Sequence, residues 1–131
     1  MTAAKTPGVR PRVLVVDDDR GMRENLSELL ASAGYDVVTA SNTNDALTVI
    51  ASGDVDLLLT DLRMPGPNGL ELIRSARQRR PDLRAILMTA FGNGFTEVEV
   101  VRRGGIGYLQ KPFEADEVTG LVDRILSLDG E

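Results

Sequence analysis

Acidic, hydroxyl and ammonium side chains stand where the short apolar runs of this chain end. Asp17 to Asp19 follow the first run, Asp61 comes two residues after the run Leu57 to Leu59, and Thr89 and Lys111 follow two later runs. Carboxylates that meet at one place repel each other and raise their own pKa values, and a hard divalent cation relieves that repulsion. A lysine and a threonine could hold the oxygens of a phosphoryl group, which carboxylates can accept covalently. We therefore interpret Asp61 as a candidate phosphate acceptor that the other residues surround.

Composition excludes several other kinds of chemistry. The 131 residues, of which 42% are hydrophobic, suffice for one domain with a sizeable core. The chain has no cysteine and no histidine, so disulfides, thiolate nucleophiles, Cys/His zinc sites and histidine-based triads are excluded. A bound metal must be held by oxygen atoms, which favours Mg²⁺, Ca²⁺ or Mn²⁺.

The charge balance bears on the partners of the chain. A net charge of −5 argues against direct nucleic-acid contact by this domain, because phosphate backbones bind to basic faces. Thirteen arginines stand against two lysines, so Lys111 is the one compact ammonium outside the N-terminal residues. No apolar run approaches the ~18 residues of a membrane span. Residues 1–11 are polar and rich in proline, which predicts a flexible tail rather than a signal peptide.

The intervening sequence alternates between strand and helix patterns. Short, β-branched apolar runs predict strands over 12–16, 35–40, 56–60, 84–89 and 106–110. Apolar residues at helical spacing predict helices over about 20–33, 42–51, 68–80 and 114–128. We expect Asp19 to cap the first helix, Gly34 to close it and the arginines from Arg74 to Arg80 to form a solvated helix face. The predicted boundaries are a tail (1–11), one domain (12–128) and a short C-terminal end (129–131).

The segment between the fourth and fifth strands is ambiguous. Glu97 to Val100 alternates like a strand, but a parallel neighbour requires a crossover, so we predict a helix from Thr96 to Arg103. Five glycines between Gly92 and Gly107 flank it, and we expect this segment to be the loosest part of the domain.

This (βα)₅ pattern predicts an α/β fold, a doubly wound parallel sheet with helices on both faces and right-handed crossovers. Such sheets bind ligands at the carboxyl ends of their strands, near the topological switch point. If the strand order is 2-1-3-4-5, the first and third strands are neighbours. Asp17, Asp18 and Asp61 then converge.

Four motifs occur in order and together resemble one family. They are Val15-Val16-Asp17-Asp18-Asp19, Asp61-x-x-Met64-Pro65-x-x-Asn68-Gly69, Met88-Thr89-Ala90 and Tyr108-x-x-Lys111-Pro112-Phe113. The combination resembles the receiver domain of bacterial two-component response regulators, over about 12–128. The resemblance implies a flavodoxin-like fold with five parallel strands in the order 2-1-3-4-5. The stretches 88–92 and 102–104 are also similar to receivers attached to AAA+ transcriptional activators.

The resemblance implies a role for each residue at the acidic end. Asp61 matches the aspartate that takes a phosphoryl group from the phosphohistidine of a sensor histidine kinase or a phosphotransfer protein. Asp18 matches the direct Mg²⁺ ligand, Asp17 its partner that often acts through water, and Arg63 the residue that lends its backbone carbonyl to the metal. Mn²⁺ could substitute for Mg²⁺.

The resemblance also implies which residues would contact the phosphoryl group and which would move in response to it. Thr89 and Lys111 would contact the phosphoryl oxygens, with Lys111 preceding a cis proline. Tyr108 matches the aromatic switch that moves with Thr89, although a tyrosine at this place is also common as half-buried core. We further hypothesise that Arg63 and Phe91 hinder the attacking water and lengthen the phosphorylated state.

The family implies a signalling domain rather than an enzyme, one that assists its own phosphorylation and dephosphorylation. We expect a cytoplasmic location, no membrane contact, and an effector domain or a homodimer formed through the fourth predicted helix, the fifth strand and the last helix. Three alternatives are weaker. A phosphohydrolase would need an Asp-x-Asp pair, a nucleotide or flavin module would need a glycine-rich loop after a strand, and a docking-only pseudo-receiver would not need the intact acidic set.

Overall fold

The computed structural model describes residues 10–90 and 106–127, apart from the side chain of Ile106. Residues 1–9 of the predicted tail, the crossover helix at Thr96 to Arg103, Phe91 and the end of the last predicted helix lie outside the described residues. No helix among the described residues is long and apolar enough to cross a membrane.

Strands and helices alternate along the described chain. The strands are β1 (Arg12–Val16), β2 (Asp36–Ala40), β3 (Leu57–Asp61), β4 (Arg84–Ala90) and β5 (Ile106–Lys111). The helices are α1 (Arg20–Ser32), α2 (Thr43–Ala51), α3 (Gly69–Arg79) and the C-terminal helix α4 (Ala115–Ser127). All strand pairs are parallel, in the order β2-β1-β3-β4-β5. The predicted fold class and strand order are confirmed.

Local sequence signals set the helix ends. The Asp19 side chain accepts a hydrogen bond from the backbone N–H of Met22 at the start of α1, and Gly34 follows the helix with a φ of +100°. Asn42 caps α2 in the same way, and Asn68 forms a capping box with Glu71 at the start of α3. These short polar side chains satisfy backbone donors that have no partner inside a helix. Helices α1 and α3 therefore begin shortly after the strand ends that carry Asp17 and Asp61.

The central strands are buried on both faces. Val13 to Val16 and Leu57 to Leu59 are all 0% exposed. Alternate residues contribute to two separate hydrophobic clusters: Val13, Val15, Leu57 and Leu59 pack toward α1 and α4, and the residues between them pack toward α2 and α3. Continuous apolar runs therefore mark strands covered by helices on both sides.

Two details of the sequence-based assignment are wrong. The first is the expectation that Asp61 and Lys111 lie just past their strands, since each is the last residue of its strand; Thr89 lies inside β4, as the predicted strand 84–89 already had it. The sheet ladder continues there, with a 2.8 Å hydrogen bond from Leu62 N–H to the Met88 carbonyl. The site is therefore held by strand backbone rather than by loops alone.

The second is the arginine face of α3, which is not uniformly solvated. Arg74 and Arg79 are exposed. Arg77, however, donates from Nε to the Leu83 carbonyl at 2.9 Å, and Arg80 donates to the Val55 carbonyl. Burial lowers the pKa of the Arg77 guanidinium, and the charge of Arg84 adds to that effect. These two arginines tie α3 to neighbouring loops.

Candidate functional site

Asp17, Asp61 and Lys111 lie on the same face of the sheet at its carboxyl edge. Asp61 continues the row of Leu57 and Leu59, and Lys111 continues the row of Leu109, on the side that α1 and α4 cover. The Lys111 ammonium lies 3.2 Å from Asp61 Oδ1 and 3.5 Å from Oδ2 of Asp17. The Lys111 ammonium, at the end of β5, therefore contacts a carboxylate at the end of β3 and another directly after β1.

Asp61 is a carboxylate in a poorly hydrated place. It is 8% exposed, and Asp17 is 1% exposed. Burial raises the pKa of Asp61, and the charge of Asp17 raises it further, with a smaller contribution from Asp18. Lys111 lowers the same pKa through its charge and its hydrogen bond, but only partly offsets the rise. The charge of Lys111 therefore does not fully compensate for the burial of Asp61 and the negative charges of Asp17 and Asp18.

The acidic residues have the arrangement of a hard-cation site. Carboxylate oxygens of Asp17, Asp18 and Asp61 lie within 4.8 Å of one another. Asp17 and Asp61 are buried, whereas Asp18 is exposed and opens the cluster to solvent. Oxygen ligands from two or three carboxylates, with room for water, suit Mg²⁺. The residues present fit the cation that the sequence predicts.

The backbone of Asp61 is held by the start of α3. The N–H of Gly69 donates to the Leu62 carbonyl at 2.9 Å. A Cβ atom built on Gly69 would lie 2.1 Å from the carbonyl oxygen of Asp61, which is far inside van der Waals contact. Glycine is therefore required here so that the helix can approach the strand that carries Asp61.

Thr89 and Tyr108 lie on the opposite face of the sheet from Lys111. Tyr108 pairs with Leu87 across β4 and β5 and packs against the cluster that Leu87 belongs to, while Thr89 is two residues further along the same row. Thr89 is 2% exposed and Tyr108 is half-buried. The two predicted switch residues are therefore neighbours along one face of adjacent strands.

The remaining predicted residues have different environments. Arg63 is exposed, while its neighbour Met64 is buried. The Lys111–Pro112 peptide bond is cis, as the resemblance implied. Phe91 lies outside the described residues.

Sequence reasoning missed Arg23. Its Nη1 atom donates a 2.7 Å hydrogen bond to the backbone carbonyl of Asp17. The available signal was weak: a long basic side chain near the start of a helix that directly follows an acidic strand end.

Comparison with known proteins defines the family. Residues 13–123 match the family model of the response regulator receiver domain, so the chain belongs to this family. It is 44% identical over 115 residues to the DNA-binding transcriptional regulator NtrC of Salmonella typhimurium, covering 88% of this chain and 24% of that protein. It is 42% identical over 113 residues to the response regulator protein FleR of Pseudomonas aeruginosa, covering 86% and 24%. The chain thus spans about a quarter of the length of these relatives.

Solved structures agree on the fold. A receiver domain protein from Methanospirillum hungatei superposes with a TM-score of 0.85 at 26% identity, covering 92% of this chain and 97% of that one. The response regulator TrrA of Thermotoga maritima, determined in complex with Mg²⁺ and BeF, gives a TM-score of 0.78 at 36% identity and covers 88% and 98%.

Proposed function

We propose that Asp61 is the phosphoacceptor of this receiver domain and that a histidine kinase or a phosphotransfer protein supplies the phosphoryl group. The contact between Lys111 Nζ and Asp61 Oδ1 carries the proposal, because it joins a nucleophilic carboxylate to a cation at the ligand-binding edge of the sheet. In the transfer, an Asp61 oxygen forms a bond to phosphorus while the N–P bond of phosphohistidine breaks. The freed imidazole takes up a proton from solvent.

Lys111 has two roles in this mechanism. Its charge lowers the pKa of Asp61 against the effects of burial and Asp17, which favours the ionised carboxylate, the form that can act as a nucleophile. After transfer, the ammonium can hold a phosphoryl oxygen in place of the carboxylate it now contacts. Thr89 would offer its hydroxyl to another phosphoryl oxygen, from the end of the neighbouring strand.

The acid cluster would hold the cation. Asp18 and Asp61 would bind it directly, Asp17 would bind directly or through water, and the backbone carbonyl of Arg63 would complete the protein ligands. Bound Mg²⁺ would neutralise the crowded acids and the oxygens of the transferring group. Use of Mn²⁺ in its place remains a prediction.

Phosphorylation would shift a two-state equilibrium. Thr89 would move toward the phosphoryl group, and Tyr108 would follow along the same row of the sheet. The face that includes β5 and α4 would then present a different surface to an effector domain or a second copy. Hydrogen exchange over 92–107, β5 and α4 should change when Mg²⁺ and beryllium fluoride are added; unchanged exchange would contradict this part of the proposal.

The relatives suggest the setting. The NtrC relatives are named as DNA-binding transcriptional regulators, and this chain matches about a quarter of their length. We propose that the domain works in the cytoplasm, controls an effector of that kind, such as one of the AAA+ class, and does not itself touch nucleic acid. It would assist its own phosphorylation and dephosphorylation without acting on other substrates.

Phosphotransfer from a small donor tests the acceptor assignment. The wild-type chain, incubated with acetyl phosphate and Mg²⁺, should gain the mass of one phosphoryl group, and Asp61→Asn should gain none. Asp54→Asn is the matched control, because Asp54 is exposed, stands before β3 and has a φ of +46° that asparagine also adopts. Phosphorylation of Asp61→Asn to the wild-type level would refute the assignment.

The lifetime hypothesis has a separate test. Arg63 is exposed and follows Asp61 by two residues, so we propose that its long side chain obstructs the water that attacks the acyl phosphate. Arg63→Ala and Phe91→Ala should therefore lose the phosphoryl group faster than wild type after the donor is removed. Equal decay rates would rule out both residues as lifetime determinants.

A further inference from the structure

Arg23 connects helix α1 to the backbone of the acid cluster. Its guanidinium reaches back from the first turns of α1, and Nη1 donates a 2.7 Å hydrogen bond to the carbonyl oxygen of Asp17. The Arg23 side chain is half-buried, whereas Arg20, on the same part of the helix, is 82% exposed. Arg23 thus points toward the site and Arg20 does not.

The carbonyl that Arg23 contacts is deeply buried. Asp17 is 1% exposed. Its N–H donates to the Ala40 carbonyl at 3.3 Å, its Oδ1 accepts from the Asp19 N–H at 2.9 Å, and its Oδ2 faces Lys111 at 3.5 Å. A buried carbonyl without a partner is costly, so the guanidinium completes a residue whose other polar groups are already engaged.

The bond constrains two carboxylates rather than one. The Asp17 carbonyl belongs to the planar peptide unit that joins Asp17 to Asp18. Holding its oxygen fixes the rotation of that plane, and with it the direction in which the Asp18 side chain leaves the backbone. Both residues belong to the cluster whose carboxylate oxygens lie within 4.8 Å of one another.

We propose that Arg23 is a positioning residue for the cation site, which holds Asp17 and Asp18 at the spacing that a divalent cation needs. The role of that cation in phosphoryl transfer rests on the proposed function, but the effect of Arg23 on cation binding does not. Partners one step behind metal ligands typically change metal affinity by roughly 10–100-fold when they are removed.

Titration with Mg²⁺ alone tests the inference on the full chain, with backbone amide chemical shifts as the readout and no phosphodonor present. Arg23→Met keeps the apolar stem and removes the donor, and we expect it to weaken Mg²⁺ binding roughly tenfold or more. Arg20→Met is the matched control, because it removes an equal charge whose partner is Glu24 at 2.9 Å. It should bind Mg²⁺ like wild type. Arg23→Lys keeps a donor of similar reach and should recover part of the loss.

Equal Mg²⁺ affinities for Arg23→Met and Arg20→Met would overturn the inference. So would a lower urea midpoint for Arg23→Met with an unchanged Mg²⁺ affinity, since that pattern describes a purely structural contact. With saturating Mg²⁺, Arg23→Met should approach the wild-type level of phosphorylation, because Asp61 and Lys111 are intact. A wild type that binds Mg²⁺ but is not phosphorylated on Asp61 would refute the proposed function and leave the role of Arg23 standing.

Discussion

The amino and carboxyl edges of the sheet differ in how their charged side chains are paired. At the amino edge, where the parallel strands begin, charged side chains have close partners: Arg12 pairs with Asp36 at 2.9 Å, and Asp56 Oδ2 accepts the Arg12 N–H at 2.7 Å. At the carboxyl edge, three carboxylates lie within 4.8 Å of one another beside the ammonium of Lys111. The charged groups named at the amino edge pair with protein donors, whereas the carboxyl edge sets three carboxylates against the one ammonium of Lys111.

The same contrast holds for the longer-range bonds of the amino edge. Arg84, at the start of β4, donates to the Ile125 carbonyl of α4 at 2.8 Å, and Tyr35, just before β2, donates its hydroxyl to Asp123. These bonds tie helices to strand starts. Polar and charged groups at the amino edge therefore link helices to strands, whereas the proposed function uses the charges at the carboxyl edge for phosphoryl transfer.

The largest expected difference between the edges concerns Lys111. Lys111→Met leaves the buried Asp17 and Asp61 without their shared cation and, on the proposed function, removes a group that binds a phosphoryl oxygen. We expect the rate of phosphorylation by acetyl phosphate to fall about 100- to 1000-fold, as for the loss of one preorganised donor. Arg12→Met is the control from the amino edge, where we expect at most about 1 kcal/mol of lost stability, because the Arg12–Asp36 pair is partly solvated. Equal phosphorylation rates for the two variants would contradict the contrast.

Gly69 tests how tightly the backbone of the carboxyl edge is held. Gly69→Ala would place a Cβ atom 2.1 Å from the Asp61 carbonyl oxygen, so α3 or β3 must shift. We expect the free energy of unfolding to fall by roughly 1–3 kcal/mol. Gly120→Ala is the matched control, since nothing lies within 4 Å of its Cβ position in α4, and alanine there should stabilise the helix by roughly 0.5–1 kcal/mol. Urea denaturation measures both, and a Gly69→Ala variant that is more stable than wild type would contradict the requirement for glycine at this position.

The sequence could predict this arrangement only in part. Apolar runs buried on both faces of the sheet, cap residues such as Asp19 and Asn68, and the acids at strand ends are local signals, and they predict the alternation of strands and helices. The strand order, and with it the convergence of the acids, depends on the resemblance to receiver domains. The period of two along each strand also separates Asp61 and Lys111 from Thr89, a distinction that sequence reasoning did not draw.

The contacts of long basic side chains were the main feature that the sequence did not predict. A helical pattern shows on which side of its helix a residue lies, but not what a side chain of Arg length can reach. Arg77 and Arg80 find carbonyls in loops that the tertiary fold brings close, and Arg23 finds the Asp17 carbonyl in the same way. Such contacts depend on packing distances between elements, which no local pattern encodes.

Matched acid-to-amide substitutions should have opposite effects at the two edges. Because burial and Asp17 raise the pKa of Asp61, its ionisation destabilises the fold as pH rises through that raised value. Asp61→Asn should therefore raise the melting temperature at pH 7 without metal, with a smaller difference near pH 4. Asp56→Asn weakens a charge-assisted bond to Arg12 N–H and should cost about 1 kcal/mol. Added Mg²⁺ should raise the melting temperature of wild type more than that of Asp61→Asn. If Asp61→Asn and Asp56→Asn both lowered the melting temperature, the contrast between the edges would be refuted.

Tyr35 gives the smallest and most specific test of the amino edge. Burial raises the pKa of its hydroxyl above the ordinary value, and the hydrogen bond to Asp123 and the charge of that residue add to the rise. A raised pKa means that the stability from this group is complete below about pH 10 and is lost as pH rises toward the higher folded-state value. Tyr35→Phe should cost about 1 kcal/mol at pH 7.

The pH dependence separates the hydroxyl from general packing. A phenylalanine side chain cannot ionise, so the stability advantage of wild type over Tyr35→Phe should shrink between about pH 10 and pH 11. Other groups that titrate there are common to both chains and cancel in the difference. Urea midpoints measured at each pH give that difference directly. An advantage that stays constant above pH 10 would show that the Tyr35–Asp123 bond does not couple β2 to α4.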